Sequence, residues 1–134
     1  MTEWTGVRDK RVLITGATRG IGLAAAQALA RRGAQLAIVA RDDARGAEAV
    51  RLIEGEGGSK VDVLHADLTS QASVRALADE ALERYPRIEV LINNAGATFT
   101  TRQLTVDGIE RTWALNHLAP FLLTTCLLYT SRCV

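Results

Sequence analysis

Arg11-Val-Leu-Ile14 runs directly into Thr15-Gly-Ala-Thr-Arg-Gly-Ile-Gly22, and that run opens onto the alanine-rich Leu23-Ala-Ala-Ala-Gln-Ala-Leu-Ala-Arg31. The first segment is short, apolar and β-branched, as a buried strand requires. The last has the composition of a helix. Between them, three glycines let the chain turn tightly, bring main-chain N–H groups close to a ligand and let the next helix approach the strand. A helix beginning there, over residues 21–32, points its positive dipole end and its unpaired N–H groups at whatever sits in the turn. The arrangement is that of a backbone built to receive a diphosphate.

Outward from this point the pattern alternates strand and helix with short connections. Gly33 stands where a helix C-terminal cap belongs. Gln35-Leu-Ala-Ile-Val-Ala40 is a nearly continuous apolar run, suited to a strand covered on both faces. A second helix is expected over residues 44–54, ending in Gly55-Glu-Gly-Gly58, and a third strand over 60–65. The third helix spans 71–85. It opens at Ser70, presents Val74, Leu77, Ala78, Ala81 and Leu82 on one face, and stops at Pro86. A fourth strand over 89–93 enters Asn93-Asn-Ala-Gly96, followed by a loop through 98–102 and a helical stretch from 107 to 125. Four such βα units predict an α/β fold with a doubly wound, all-parallel sheet of order 3-2-1-4 and helices on both faces. Its ligand crevice lies outside the carboxyl ends of strands one and four, where the glycine run and the Asn-Asn-Ala-Gly run meet.

Composition narrows the class. With 134 residues, 48% apolar, the chain is long enough to bury one core without staples. A formal charge of +1 carries no footprint for nucleic acid or a membrane surface. No apolar run is long enough to cross a bilayer and the N-terminus has no signal-peptide core, so a cytoplasmic location is expected. Cys126 and Cys133 form no metal-ligand spacing with His65 or His117, and no metal is expected.

The spacing Gly16-xxx-Gly20-x-Gly22 departs from the common G-x-G-x-x-G fingerprint. It resembles the short-chain dehydrogenase/reductase family, whose T-G-x-x-x-G-x-G hallmark is matched at Thr15, Gly16, Gly20 and Gly22, with Thr18, Arg19 and Ile21 inside the same turn. The family's N-N-A-G is matched at Asn93, Asn94, Ala95 and Gly96. Asn116, in Leu115-Asn-His-Leu118, matches its catalytic asparagine. The resemblance covers residues 10–125, and the phrasing from Asn116 to Thr124 is most similar to the retinol-dehydrogenase-like branch. It implies a Rossmann-type domain over residues 1–125, truncated after the helix following strand four. It also implies an NAD(P)-dependent oxidoreductase that moves a hydride between nicotinamide and a small alcohol or carbonyl substrate, and a parent protein that is a candidate homo-oligomer.

Within that resemblance, Arg41 stands just after strand two, where an NAD-preferring member would place an acid on the adenosine 2′-hydroxyl. A cation suits a 2′-phosphate, and Arg19 can approach the same group, so NADP is the expected cofactor with NAD the second choice. The alternatives are that both arginines are solvated surface charges, or that neighbouring Asp42 reaches the ribose. Asp67 is expected to accept from the adenine amino group with Leu68 beside the ring; a helix-capping role competes with this. Asn93 serves either the cofactor, the bracing of strand four, or only a turn. Asn116 supports a bound water and proton relay in the family; otherwise it satisfies a buried polar group. Trp113, Leu115, Leu118 and residues 121–123 read as core or subunit-interface contacts, and His117 has no assigned role.

Family chemistry further requires a serine and a Tyr-x-x-x-Lys pair, the tyrosine's pKa lowered from about 10 by the lysine. Neither is present. Tyr129 is followed four places later by Cys133, and the lysines are Lys10 and Lys60. Residues 126–134 break the family pattern and are expected to be a non-native tail encoded by a transposon end, which the coding DNA would reveal. The expectation is a binding half that does not turn over. A non-catalytic NAD(P)-binding module, a methyltransferase and a purely structural α/β domain remain as competing classes; the methyltransferase would favour an acid where Arg41 stands.

Overall fold

A computed structural model describes residues 6–57 and 60–130, so the last four residues of the expected tail lie outside it. Its elements follow the sequence pattern: β1 (Arg11–Ile14), α1 (Gly20–Arg31), β2 (Gln35–Ala40), α2 (Asp43–Glu54), β3 (Asp62–His65), α3 (Gln71–Arg84) and β4 (Val90–Ile92). A short helix α4 (Arg111–Trp113) then passes through a π-helical turn at Ala114–Leu118 into α5 (Ala119–Thr130). The four strands form one parallel sheet in the order β3-β2-β1-β4. Among the described residues, no helix is long and apolar enough to cross a membrane.

Alternation along the strands splits the core in two. Leu13, Ala37, Val39 and Leu64 pack against α3 and α5, with Val74, Leu77, Leu123 and Leu127. Val12, Ile14, Leu36 and Ile38 face α1 and α2. Helix α1 buries Gly22, Ala26 and Ala30, one stripe of small side chains at a spacing of four, which lets it lie close to the sheet. Its C-terminal end carries Gly33 at φ +83°, the cap read from the sequence. Ser70 caps α3, its hydroxyl accepting from the Ser73 N–H at 3.2 Å.

Two stretches differ from expectation. The helix expected from residue 107 begins only at Arg111. Before it, Thr105 and Gly108 form a tight turn, the Thr105 N–H donating to the Ile109 carbonyl at 2.8 Å, and Gly108 at φ +71° ends any helical run. Leu104 and Glu110 pair as an antiparallel bridge, and the Glu110 carboxylate caps α4 at the N–H groups of Thr112 and Trp113. At the other end, α5 continues through Cys126 to Thr130, and Leu127 is buried in the core.

Candidate functional site

The carboxyl ends of β1, β2 and β3 and the residues that follow β4 enclose a cleft of about 490 Å³. The glycine turn forms its floor: Gly16, Thr18, Arg19, Gly20, Ile21 and Gly22 all line it. Its three glycines are needed for different reasons. At Gly20, φ is +59° and a Cβ would meet open space, so conformation alone selects glycine. At Gly22 the backbone is ordinary, but a Cβ would run into the Gly16 carbonyl and the Asn94 amide nitrogen. Gly16 needs both, with φ +68° and a would-be Cβ 2.8 Å from Ala95 Cα and from Asn94 Nδ2.

The two motifs are tied crosswise. Thr15, only 2% exposed, lies behind the cleft; its Oγ1 accepts from the N–H of Asn94 at 3.1 Å and of Ala95 at 3.0 Å. In return, Asn94 Nδ2 donates to the Gly16 carbonyl at 3.0 Å, filling the space that two glycines leave. Asn94, Ala95 and Gly96 line the cleft; Asn93 does not, and its amide donates to Thr124 Oγ1 on α5 at 3.0 Å. Thr15 and Asn93 therefore brace the strand ends from behind.

Helix α1 is the exception among the helix starts on this side. Asp42, Ser70 and Glu110 cap α2, α3 and α4 with side-chain oxygens. No side chain caps α1, and its first turn carries no acid. An uncapped, glycine-lined helix start facing a cleft suits the diphosphate of a dinucleotide, whose oxygens would take the place of the missing cap. Ile21, 83% exposed, stands at the same mouth.

At the far end, Arg41 lines the cleft together with Asp42 and Arg45. Asp42 Oδ1 accepts from the Arg45 N–H at 3.0 Å, and that bond, with lesser help from the Ala44 N–H and the charges of Arg45 and Arg41, lowers its pKa below the ordinary carboxylate value. Asp67 and Leu68, which follow the neighbouring strand β3, line the cleft too. Burial alone would raise the Asp67 pKa. Hydrogen bonds from the Thr69 hydroxyl and N–H, at 2.7 and 3.0 Å, and the nearby Arg41 and Arg111 cations outweigh it and hold the carboxylate ionised. The capping role suggested for this region belongs to Ser70, while Asp67 makes an Asx turn.

Asn116 lies on the π-helical turn, one of the local widenings of a helix that recur at functional sites. Its Oδ1 accepts from the Ala97 N–H at 2.9 Å and its Nδ2 donates to the Ala97 carbonyl at 2.8 Å, so the side chain holds the loop after Gly96 as a neighbouring strand would. Several cleft residues were missed in the sequence: Arg45, Thr69, Phe99, Arg111 and Leu115. Arg45 was accessible, being one helical turn beyond Arg41 at a helix start where a cation is disfavoured. Phe99 and Arg111 carry no local signal; only the turn at 104–110 brings them together.

A four-stranded parallel sheet with an uncapped glycine loop at its switch point defines a dinucleotide-binding fold. The short chain dehydrogenase family model matches residues 10–130, and the chain belongs to that family. It is 44% identical to a Streptomyces sp. (strain C5) protein provisionally named a daunorubicin C-13 ketoreductase, over 94% of this chain and 44% of that one. It is also 44% identical to mouse (Mus musculus) retinol dehydrogenase 14, over 91% of this chain and 40% of the relative. The chain thus spans less than half the length of these relatives. Its fold superposes on a metagenomic short-chain oxidoreductase in complex with NADP at a TM-score of 0.80 and 29% identity, covering 92% and 57% of the two chains. An NADH-dependent reductase complexed with NAD matches at 0.76 and 33%, covering 92% and 52%. NAD(P) is the family's cofactor, and both forms occur among these neighbours.

Proposed function

We propose that this chain is the cofactor-binding part of an NADP-dependent short-chain oxidoreductase whose substrate is a small alcohol or carbonyl compound. The observation that carries the cofactor choice is the charge at the end of β2: Arg41 and Arg45 line the cleft there, while one oxygen of the neighbouring acid, Asp42, is engaged in capping α2. In this reading Gly16, Thr18, Arg19, Gly20, Ile21 and Gly22 hold the diphosphate, and Arg41 takes the 2′-phosphate. Asp67 accepts from the adenine amino group beside Leu68. Asn94, Ala95 and Gly96 border the nicotinamide half, with Thr15 and Asn93 supporting them. Asn116 is the catalytic asparagine that would support a proton relay in the whole protein. When bound, the dinucleotide supplies or accepts the hydride. A cytoplasmic location and a homo-oligomeric parent belong to the same reading.

Calorimetry with NADP and NAD on the chain tests it. A charge-assisted hydrogen bond is worth roughly 1.5–3 kcal/mol, so NADP should bind roughly ten- to a hundredfold more tightly than NAD. Arg41→Asp should abolish or reverse that ratio. Equal affinities in the unaltered chain would overturn the NADP assignment. No binding of either would leave a structural α/β domain.

A further inference from the structure

Arg111 is held in place from three sides. Its N–H donates to the Gln103 carbonyl at 2.9 Å, its Nη1 donates to Gln103 Oε1 at 2.8 Å, and its guanidinium lies 4.1 Å over the centre of the Phe99 ring. The turn that carries it is itself anchored, because Asp107 Oδ2 accepts from the Gln71 N–H at 2.8 Å at the start of α3. Arg111 and Phe99 both line the cleft, and Asp67 feels the Arg111 charge. Arg41, just after β2, acts on Asp67 as well, so the carboxylate feels two cations that line the same cleft.

The two cations have different surroundings. Arg41 is exposed beside Arg45 and Asp42, an anion-binding setting. Arg111 is half-buried, with a donor committed to Gln103 and its guanidinium carbon over an aromatic ring; the apolar Leu68 and Leu115 line the same cleft. A planar cation so fixed is a stacking surface for a heteroaromatic base, and arginine stacks in this way where lysine does not. We propose that the Phe99–Arg111 pair is a stacking wall at the nucleoside end of the cleft, on which the adenine ring rests while Asp67 reads its amino group. The proposal rests on dinucleotide binding in this cleft, but not on the choice of NADP over NAD.

The test is calorimetry of the full chain with NADP, NAD and adenosine diphosphate. A stacked cation is worth roughly three- to thirtyfold in affinity. Arg111→Ala should weaken all three ligands by the same factor within that range, and Arg111→Lys should fail to restore it. Phe99→Leu, which keeps apolar volume but removes the ring beneath the guanidinium, should lower all three affinities in the same proportion and serves if Arg111→Ala does not fold. Unchanged affinities, a loss confined to NADP, or full rescue by Arg111→Lys would each overturn the proposal; the last two would make Arg111 a phosphate-binding charge. Normal Arg111 effects with no preference for NADP would overturn only the Arg41 assignment. Failure of the unaltered chain to bind any of the three would overturn both.

Discussion

At the scale of single residues, the glycine turn shows that one motif can contain three separate constraints. Gly20 stands in open space at positive φ, so Gly20→Ala pays only the conformational penalty, about 1–2 kcal/mol. Gly22→Ala leaves φ untouched and instead pushes a methyl group into the Gly16 carbonyl and the Asn94 amide, two groups that are hydrogen-bonded to each other. Overpacking costs about 1–3 kcal/mol, and parting that bond adds about 1 kcal/mol. Chemical denaturation should therefore show a larger stability loss for Gly22→Ala than for Gly20→Ala. The two should also differ in kind: an added Asn94→Ala change should recover part of the Gly22→Ala loss and none of the Gly20→Ala loss. Equal losses, or no recovery, would mean the Asn94 amide is not what fills the space beside Gly22.

At the scale of elements, the contrast between helix starts separates folding from binding. Asp42, Ser70 and Glu110 spend side chains on capping, whereas α1 begins at Arg19 with none. Arg19→Asn would supply the missing cap and Arg19→Ala would not, while both remove the same cation. Relative to Arg19→Ala, the asparagine variant should be more stable by about 1 kcal/mol and yet bind the dinucleotide more weakly, since its side chain competes for the N–H groups the diphosphate needs. Thermal unfolding and calorimetry on the pair measure both signs; tighter binding by the asparagine variant would show that α1 does not hold the phosphates. These elements were legible in the sequence because each has a local cause: β-branched runs for β1 and β2, Ser70 and Pro86 around α3, Gly33 after α1. The turn over 103–110 and the π-helical form of 114–118 were not, because they depend on distant partners. The Asp107 anchor lies 36 residues from Gln71, and the Asn116 amide is satisfied by Ala97, 19 residues away. No periodicity announces such contacts, so the turn, the π-helical step and the Arg111 platform became visible only when the loop was folded over the sheet.

At the scale of the whole molecule, the polarity of a parallel sheet decides what the cleft can do. All four carboxyl ends point to the cleft side, so a residue that precedes a strand is carried to the opposite end. Lys10 precedes β1 and Lys60 precedes β3. Tyr85 follows α3 at that same remote end, where its hydroxyl donates to Asp62 at 2.7 Å at the start of β3, and Arg11 covers its ring at 4.1 Å. Burial, then the bond to Asp62 and its charge, raise the Tyr85 pKa far above the ordinary phenol value, against a smaller opposing effect of Arg84 and Arg11. A tyrosine acting as general acid/base needs the reverse shift, beside the nicotinamide. The described part of the cleft thus offers groups suited to holding a dinucleotide, and its lining includes neither a lysine nor a tyrosine hydroxyl to move a proton. The expected outcome is cofactor binding without turnover: with NADPH and a panel of ketones and aldehydes, the chain should oxidise cofactor no faster than buffer, and Tyr85→Phe should leave both that result and the NADP affinity unchanged while lowering stability. Carbonyl-dependent oxidation above buffer would overturn this expectation, and its abolition by Tyr85→Phe would place the chemistry at the sheet's remote end.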